Sequence, residues 1–128
     1  ALDTSAFSAL LRGNEQVAQA LRGADEITLT PVVLGELRAG FLMGKHRVRN
    51  GSVLKEFLAA SRVRVRDIDD ETADRYAAIF AYLRKQGTPI PTNDIWIAAS
   101  AMQHGLKLIT TDTHYLKLPQ IIVECCPV

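Results

Sequence analysis

Apolar positions recur at helical spacing through most of this chain, and short continuous apolar runs separate them. After Leu2-Asp3-Thr4-Ser5, the set Phe7, Leu10 and Leu11 predicts a first helix that Gly13 stops. Asn14 is placed to cap a second helix with Val17, Ala18 and Leu21 inward and Gly23 at its end. Ile27-Thr28-Leu29 predicts a short strand. Thr30-Pro31 then reads as a helix start, because the threonine hydroxyl accepts from a first-turn amide and proline lacks an amide that had no partner there. That helix is expected to reach Met43, with Gly44 as its stop, and a further helix is expected over Val53 to Ala60. Val63 and Val65 predict a strand whose other face carries Arg62, Arg64 and Arg66.

Asp69 or Asp70 is expected to cap the next helix, striped by Tyr76, Ile79, Phe80 and Leu83 and closed by Gly87. Gly87-Thr88-Pro89-Ile90-Pro91 is a stiff loop, since each proline keeps its predecessor out of the helical region. Thr92 or Asn93 is expected to cap a helix with Ile95, Ala98, Ala99 and Met102 inward, ended by Gly105. Leu108-Ile109 and Ile121-Ile122-Val123 predict the last strands. Alternating helices and short apolar strands describe an α/β fold with a mainly parallel sheet covered on both faces, in a single domain over residues 1–128. Such sheets collect ligands at the C-terminal ends of their strands.

Composition narrows the class. Apolar residues make up 48% and charged residues 23% of the 128, which excludes disorder. No apolar run is long enough to span a bilayer, and no basic-then-apolar leader is visible. The two cysteines, Cys125 and Cys126, are adjacent and form neither a disulfide framework nor a zinc spacing, which predicts a cytoplasmic protein. Net charge is only +1, but its distribution is uneven. Lys45, Arg47, Arg49, Lys55, Arg62, Arg64 and Arg66 are opposed only by Glu56, and an acidic stretch follows at Asp67–Asp74. The basic run is either a solvated face or a surface that grips a polyanion, with Lys45, Arg47 and Arg49 as the candidates for that contact.

Most acids sit among polar neighbours, but four are expected at one rim of the sheet. Asp3 ends the first apolar step, Glu36 lies in the early turns of the helix after Thr30, Asp94 opens the helix after the stiff loop, and Asp112 follows Leu108-Ile109-Thr110-Thr111. Taken singly, each is explained by capping or solvation. Together they repel one another, and no Lys or Arg stands beside Asp3, Asp94 or Asp112 in sequence. A divalent cation is the natural compensator, and magnesium or manganese suits carboxylates and water. Ser5, Asn93 and Thr110 are expected to orient those carboxylates. No phosphate-binding GxxxxGK[ST] loop or G-x-S-x-G elbow is present. His46, His104 and His114 have no metal-ligand spacing; His104 is expected to meet free carbonyls at a helix end, and His114 is the one that can approach Asp112.

The blocks Leu2-Asp3-Thr4-Ser5, Glu36-Leu37-Arg38-Ala39-Gly40, Asn93-Asp94-Ile95-Trp96-Ile97-Ala98-Ala99 and Thr110-Thr111-Asp112 resemble, in that order and across the whole chain, a PIN domain of the VapC toxin type. The resemblance implies a three-layer α/β/α fold, usually dimeric. It also implies a magnesium- or manganese-dependent endoribonuclease leaving 5′-phosphate and 3′-hydroxyl ends, inhibited by a small antitoxin with a DNA-binding part. It assigns metal binding and catalysis to Asp3, Glu36, Asp94 and Asp112, and support to Ser5, Asn93 and Thr110. Tyr115 stands where the family often has Phe, a difference expected to leave the metal site undisturbed. The residues alone leave other readings open: a housekeeping RNA-processing or DNA nuclease with the same carboxylates, or a non-enzymatic module whose acid pocket grips a partner's arginine. A phosphatase with an aspartyl nucleophile would show a second aspartate near Asp3, and none is there.

Overall fold

The computed structural model describes residues 1–127. Helices α1 (Thr4–Leu11) and α2 (Glu15–Arg22) lead to strand β1 (Ile27–Leu29), then α3 (Pro31–Met43), α4 (Arg47–Ala59) and β2 (Val63–Val65). Helices α5 (Asp70–Gln86) and α6 (Thr92–Gln103) precede β3 (Leu108–Thr110), a 3-10 turn over Thr113–Lys117, and β4 (Val123–Cys125).

All pairing is parallel. β1 pairs with β2, and β3 with β4. Leu2 joins the two ladders: its amide donates to the Thr28 carbonyl at 2.9 Å, and it bridges in parallel to Ile109. The order across the sheet is therefore β2–β1–Leu2–β3–β4. β1 and β3 are buried along their whole length, as strands covered on both faces must be. Leu2, Phe7, Leu29, Ile79, Leu83, Ile97 and Leu108 belong to one continuous core.

Local chemistry places the helices. Asn14 accepts from the Val17 amide and Thr30 from the Val33 amide, as their positions predict. Asp69, rather than Asp70, starts α5, and it shares a reciprocal capping box with Thr72. Gly87 ends α5 in the left-handed region (φ 67°), a conformation costly for any residue with a Cβ. α5 and α6 are joined at one end by hydrogen bonds from Thr72 and Gln103 among themselves and to Asp69, and further along by Tyr76 stacked on Trp96 at 4.1 Å between ring centroids. This pairing fixes the start of α6 over the sheet rim.

Three expectations are corrected. α4 begins at Arg47, six residues before Val53; His46 precedes it without any side-chain cap. The residue before α6 is Pro91, so neither Thr92 nor Asn93 caps it; both lie inside the helix. The last strand is Val123–Cys125, and Ile122 is 71% exposed. Among the described residues no helix is long and apolar enough to cross a membrane, and both cysteines are free thiols.

Candidate metal centre

Asp3 is fixed by its own cap. Its Oδ1 accepts from the Ala6 amide at 2.9 Å, Ser5 donates to the same carboxylate at 2.8–2.9 Å, and Thr110 donates to Oδ2 at 2.7 Å. Ser5 and Thr110, expected as orienting groups, both meet Asp3 directly and stand 3.2 Å from each other. Burial pushes the Asp3 carboxyl above its usual range; those hydrogen bonds pull the other way, and the negative charge of Asp94 adds to the rise.

Asp94 sits in the first turn of α6, where amides without helical partners favour a negative charge. Its Oδ1 accepts from the Tyr115 hydroxyl at 3.1 Å, and its Oδ2 lies 3.4 Å from His114 Nδ1. Burial again raises the carboxyl, the His114 and Tyr115 contacts lower it, and the charges of Asp112 and Glu36 raise it. Asp112 precedes the 3-10 turn and accepts from the His114 amide at 2.9 Å through Oδ1; its Oδ2 is 3.1 Å from His114 Nδ1. Carboxylate oxygens of Asp94 and Asp112 and a ring nitrogen of His114 all lie within 4.8 Å of one another.

Glu36, on α3, is held from both sides. Thr4 donates to Oε1 at 2.6 Å, and the Asn93 amide donates to Oε2 at 3.3 Å. Glu36 and Asp3 stand outside the Asp94–Asp112–His114 trio, yet near enough that the charge of Glu36 raises the Asp94 carboxyl and that of Asp94 raises the Asp3 carboxyl. A cavity of about 270 Å³ runs from Thr4 and Glu36 past Arg12 and Phe41 to Asn50 on α4. Lys45, Arg47 and Arg49 are exposed at the α3–α4 turn and first turn of α4, near that Asn50 end in sequence.

Two carboxylates and an imidazole converge, and no Lys or Arg pairs with Asp3, Glu36, Asp94 or Asp112 among the described residues. This donor set fits a divalent ion that accepts oxygen with one nitrogen. Sequence reasoning undervalued three residues here. His114 is one; its signal was its position two residues after Asp112, at the first turn that Asp112 caps. Thr4 is the second, hidden because Glu36 lies 32 residues away. Tyr115 is the third: its hydroxyl reaches Asp94, so the exchange of Phe for Tyr does touch the site. His104 does not meet helix-end carbonyls through its ring; its Nε2 is buried without a partner.

The PIN domain family model matches residues 1–120. The chain is 34% identical to Ribonuclease VapC4 of Mycobacterium tuberculosis over 92 residues, covering 72% of this chain and 71% of that protein. It is 35% identical to Toxin FitB of Neisseria gonorrhoeae, covering 88% and 86%. The solved structure of VapBC2 from Rickettsia felis, bound to a DNA fragment from its promoter, superposes with a TM-score of 0.83 at 26% identity over 96% of this chain and 95% of that one. With the fold, the ordered acids and these relatives in agreement, the chain belongs to the PIN-domain family, among the toxins of the VapC and FitB type.

Proposed function

We propose that this protein is a divalent-metal-dependent endoribonuclease, a toxin whose activity a small antitoxin blocks. The observation that carries the reading is the convergence of Asp94, Asp112 and His114 beside Asp3 and Glu36, with no Lys or Arg paired to these acids among the described residues. Asp94 and Asp112 would hold magnesium or manganese, with Asp3 and Glu36 as further carboxylates of the same centre. When bound, the ion supplies Lewis acidity toward a phosphodiester and acidifies water.

The rest belongs to the chain's own side chains. Ser5, Thr110 and the Ala6 amide lock the Asp3 carboxylate, so it presents one fixed orientation to the centre. Thr4 and Asn93 do the same for Glu36 and tie α1 and α6 to α3 around it. Lys45, Arg47 and Arg49, together with the uncapped amides opening α4, would give the RNA backbone a positive surface close in sequence to Asn50, which lines the Glu36 cavity. The relatives' names support the activity and the partner: VapC4 is called a ribonuclease, and the VapBC2 structure holds promoter DNA. The antitoxin would carry the DNA-binding part, the toxin would act as a homodimer, and the free thiols suit the cytoplasm.

Cleavage mapping on total RNA tests this reading, with manganese or magnesium supplied or chelated. Discrete cuts that appear with metal, vanish with chelator and leave 5′-phosphate ends are expected. RNA left intact at saturating metal by folded, antitoxin-free protein would overturn it.

A further inference from the structure

We propose that His114 is a nitrogen ligand of the metal centre and makes it prefer manganese to magnesium; this rests on the metal-dependent reading above. Three observations converge. The first is distance. Ligands about 2.1 Å from a common ion and at right angles to each other stand about 3.0 Å apart, and His114 Nδ1 lies 3.1 Å from Asp112 Oδ2 and 3.4 Å from Asp94 Oδ2.

The second is how the backbone aims the ring. Asp112 uses Oδ1 to accept the His114 amide, so its Oδ2 and the imidazole are left facing each other. Tyr115, the next residue in the same turn, takes Asp94 Oδ1 and leaves Asp94 Oδ2 for the imidazole side. The third is access. The His114 side chain is 42% exposed, so an ion can reach it without unfolding the turn.

The chemical consequence is selectivity. Magnesium favours oxygen ligands and keeps its water; manganese is equally suited to carboxylates but, as a first-row transition ion, accepts an imidazole nitrogen more readily than magnesium does, if less strongly than the later ions of the series. The two carboxylates serve either ion; the nitrogen adds affinity only for the one that accepts it. A different role has the same metal-free geometry: an imidazolium that merely neutralises Asp94 and Asp112 until an ion displaces it. The two roles predict opposite results when the ring is removed.

Metal-stripped wild-type protein and His114→Ala are titrated with manganese, followed by the electron paramagnetic resonance of the free ion, and magnesium affinity is read by competition. Pulsed resonance on the manganese-loaded wild type reports any nitrogen bound to the ion, and melting in chelator checks the fold of the variant. Loss of manganese affinity by about tenfold or more, with magnesium changed by less than about twofold and a nitrogen coupling that disappears in the variant, supports the ligand role. Equal weakening of both ions, tighter manganese binding by the variant, or wild-type manganese without nitrogen coupling would overturn it while leaving the nuclease reading intact. Failure of the wild type to bind either ion would overturn both. If His114→Ala does not fold, the nitrogen coupling of the wild type alone decides.

Discussion

Tyr115 donates its phenolic hydrogen to Asp94 Oδ1 across 3.1 Å from a ring that is wholly buried. Burial, with the charges of Asp3, Asp94 and Asp112, pushes the phenol far above its usual range, so it stays protonated and remains a donor. One oxygen of Asp94 is thereby fixed by the core, and the other faces Asp112 and His114.

Tyr115→Phe keeps the ring and removes only that donor. The expected cost in stability is about 1 kcal/mol, since the carboxylate is only partly buried and water replaces some of the bond. Metal affinity should fall further, by about tenfold, because an unfixed Asp94 must be ordered on binding. Manganese titration and a chelator-treated melt measure the two effects. Unchanged affinity with a lowered Tm would make the hydroxyl a packing group with no part in the site.

The contrast between Tyr115 and Thr30 shows what was legible in the sequence. Thr30-Pro31, Asn14 and Gly87 act through atoms three or four residues away, so their spelling was enough to place α3, α2 and the end of α5. The four acids were also legible, because each follows a recognisable strand or loop. The groups that orient them were less so: Thr4 meets Glu36 and Tyr115 meets Asp94 across 32 and 21 residues. The start of α4 escaped because Arg47–Ser52 is polar apart from the exposed Val48, contains Gly51, and shows no apolar stripe before Leu54, the helix's buried residue. The last strand was misplaced for the opposite reason. Ile121 and Ile122 are apolar, but β4 starts only at Val123, opposite Leu108, and the Ile122 side chain, whose carbonyl accepts from the Leu108 amide, points to solvent.

Asp94→Asn should abolish most RNA cleavage yet stabilise the metal-free fold. The Asp94 and Asp3 carboxyls hold their protons more tightly folded than unfolded. The folded state therefore binds more protons between the ordinary carboxylate range and the raised values, and stability is lost as pH rises through that window. Asparagine removes the Asp94 share of this loss while its carbonyl still accepts from Tyr115. In chelator the variant should melt a few degrees higher at neutral pH, and the gap should close as pH falls below the raised Asp94 value. Saturating manganese should reverse the order, because only the wild type gains binding energy. A variant that melts lower at neutral pH without metal would show that Asp94 is stabilised by its surroundings as an anion.

Neutralising Lys45, Arg47 and Arg49 should act in opposite directions on fold and substrate. Cations at the start of α4 oppose the positive end of the helix dipole, so alanine there should leave stability level or slightly raised. RNA binding should weaken for every sequence. Three lost phosphate contacts would lower the slope of log affinity against log salt by about 2. Fluorescence anisotropy over a salt series reads the slope, and an unchanged value would return these residues to the solvated surface.

The inhibitory partner should place an arginine or lysine on the carboxylates and compete with the ion. Asp94 and Asp112 have His114 as the one basic side chain within ion-pair distance among the described residues, and Asp3 and Glu36 are held by neutral donors. Relief of the remaining repulsion must come from outside, by metal or by a side chain. A guanidinium suits this role because its planar fork matches a carboxylate pair and it stays charged at any working pH. The cavity beside Glu36, lined by Leu11, Leu37 and Phe41 as well as Thr4 and Arg12, offers apolar walls for residues that flank such a chain. Metal and partner tail then draw on the same oxygens, so binding one must cost the other by an equal factor. Calorimetric titration of an arginine-bearing tail peptide from the cognate antitoxin, with manganese and with chelator, measures that factor. A peptide bound several-fold more tightly in chelator, and no longer sensitive to manganese in Asp94→Asn, is the expected result. Equal affinity in both conditions would place inhibition on another surface, away from the acids.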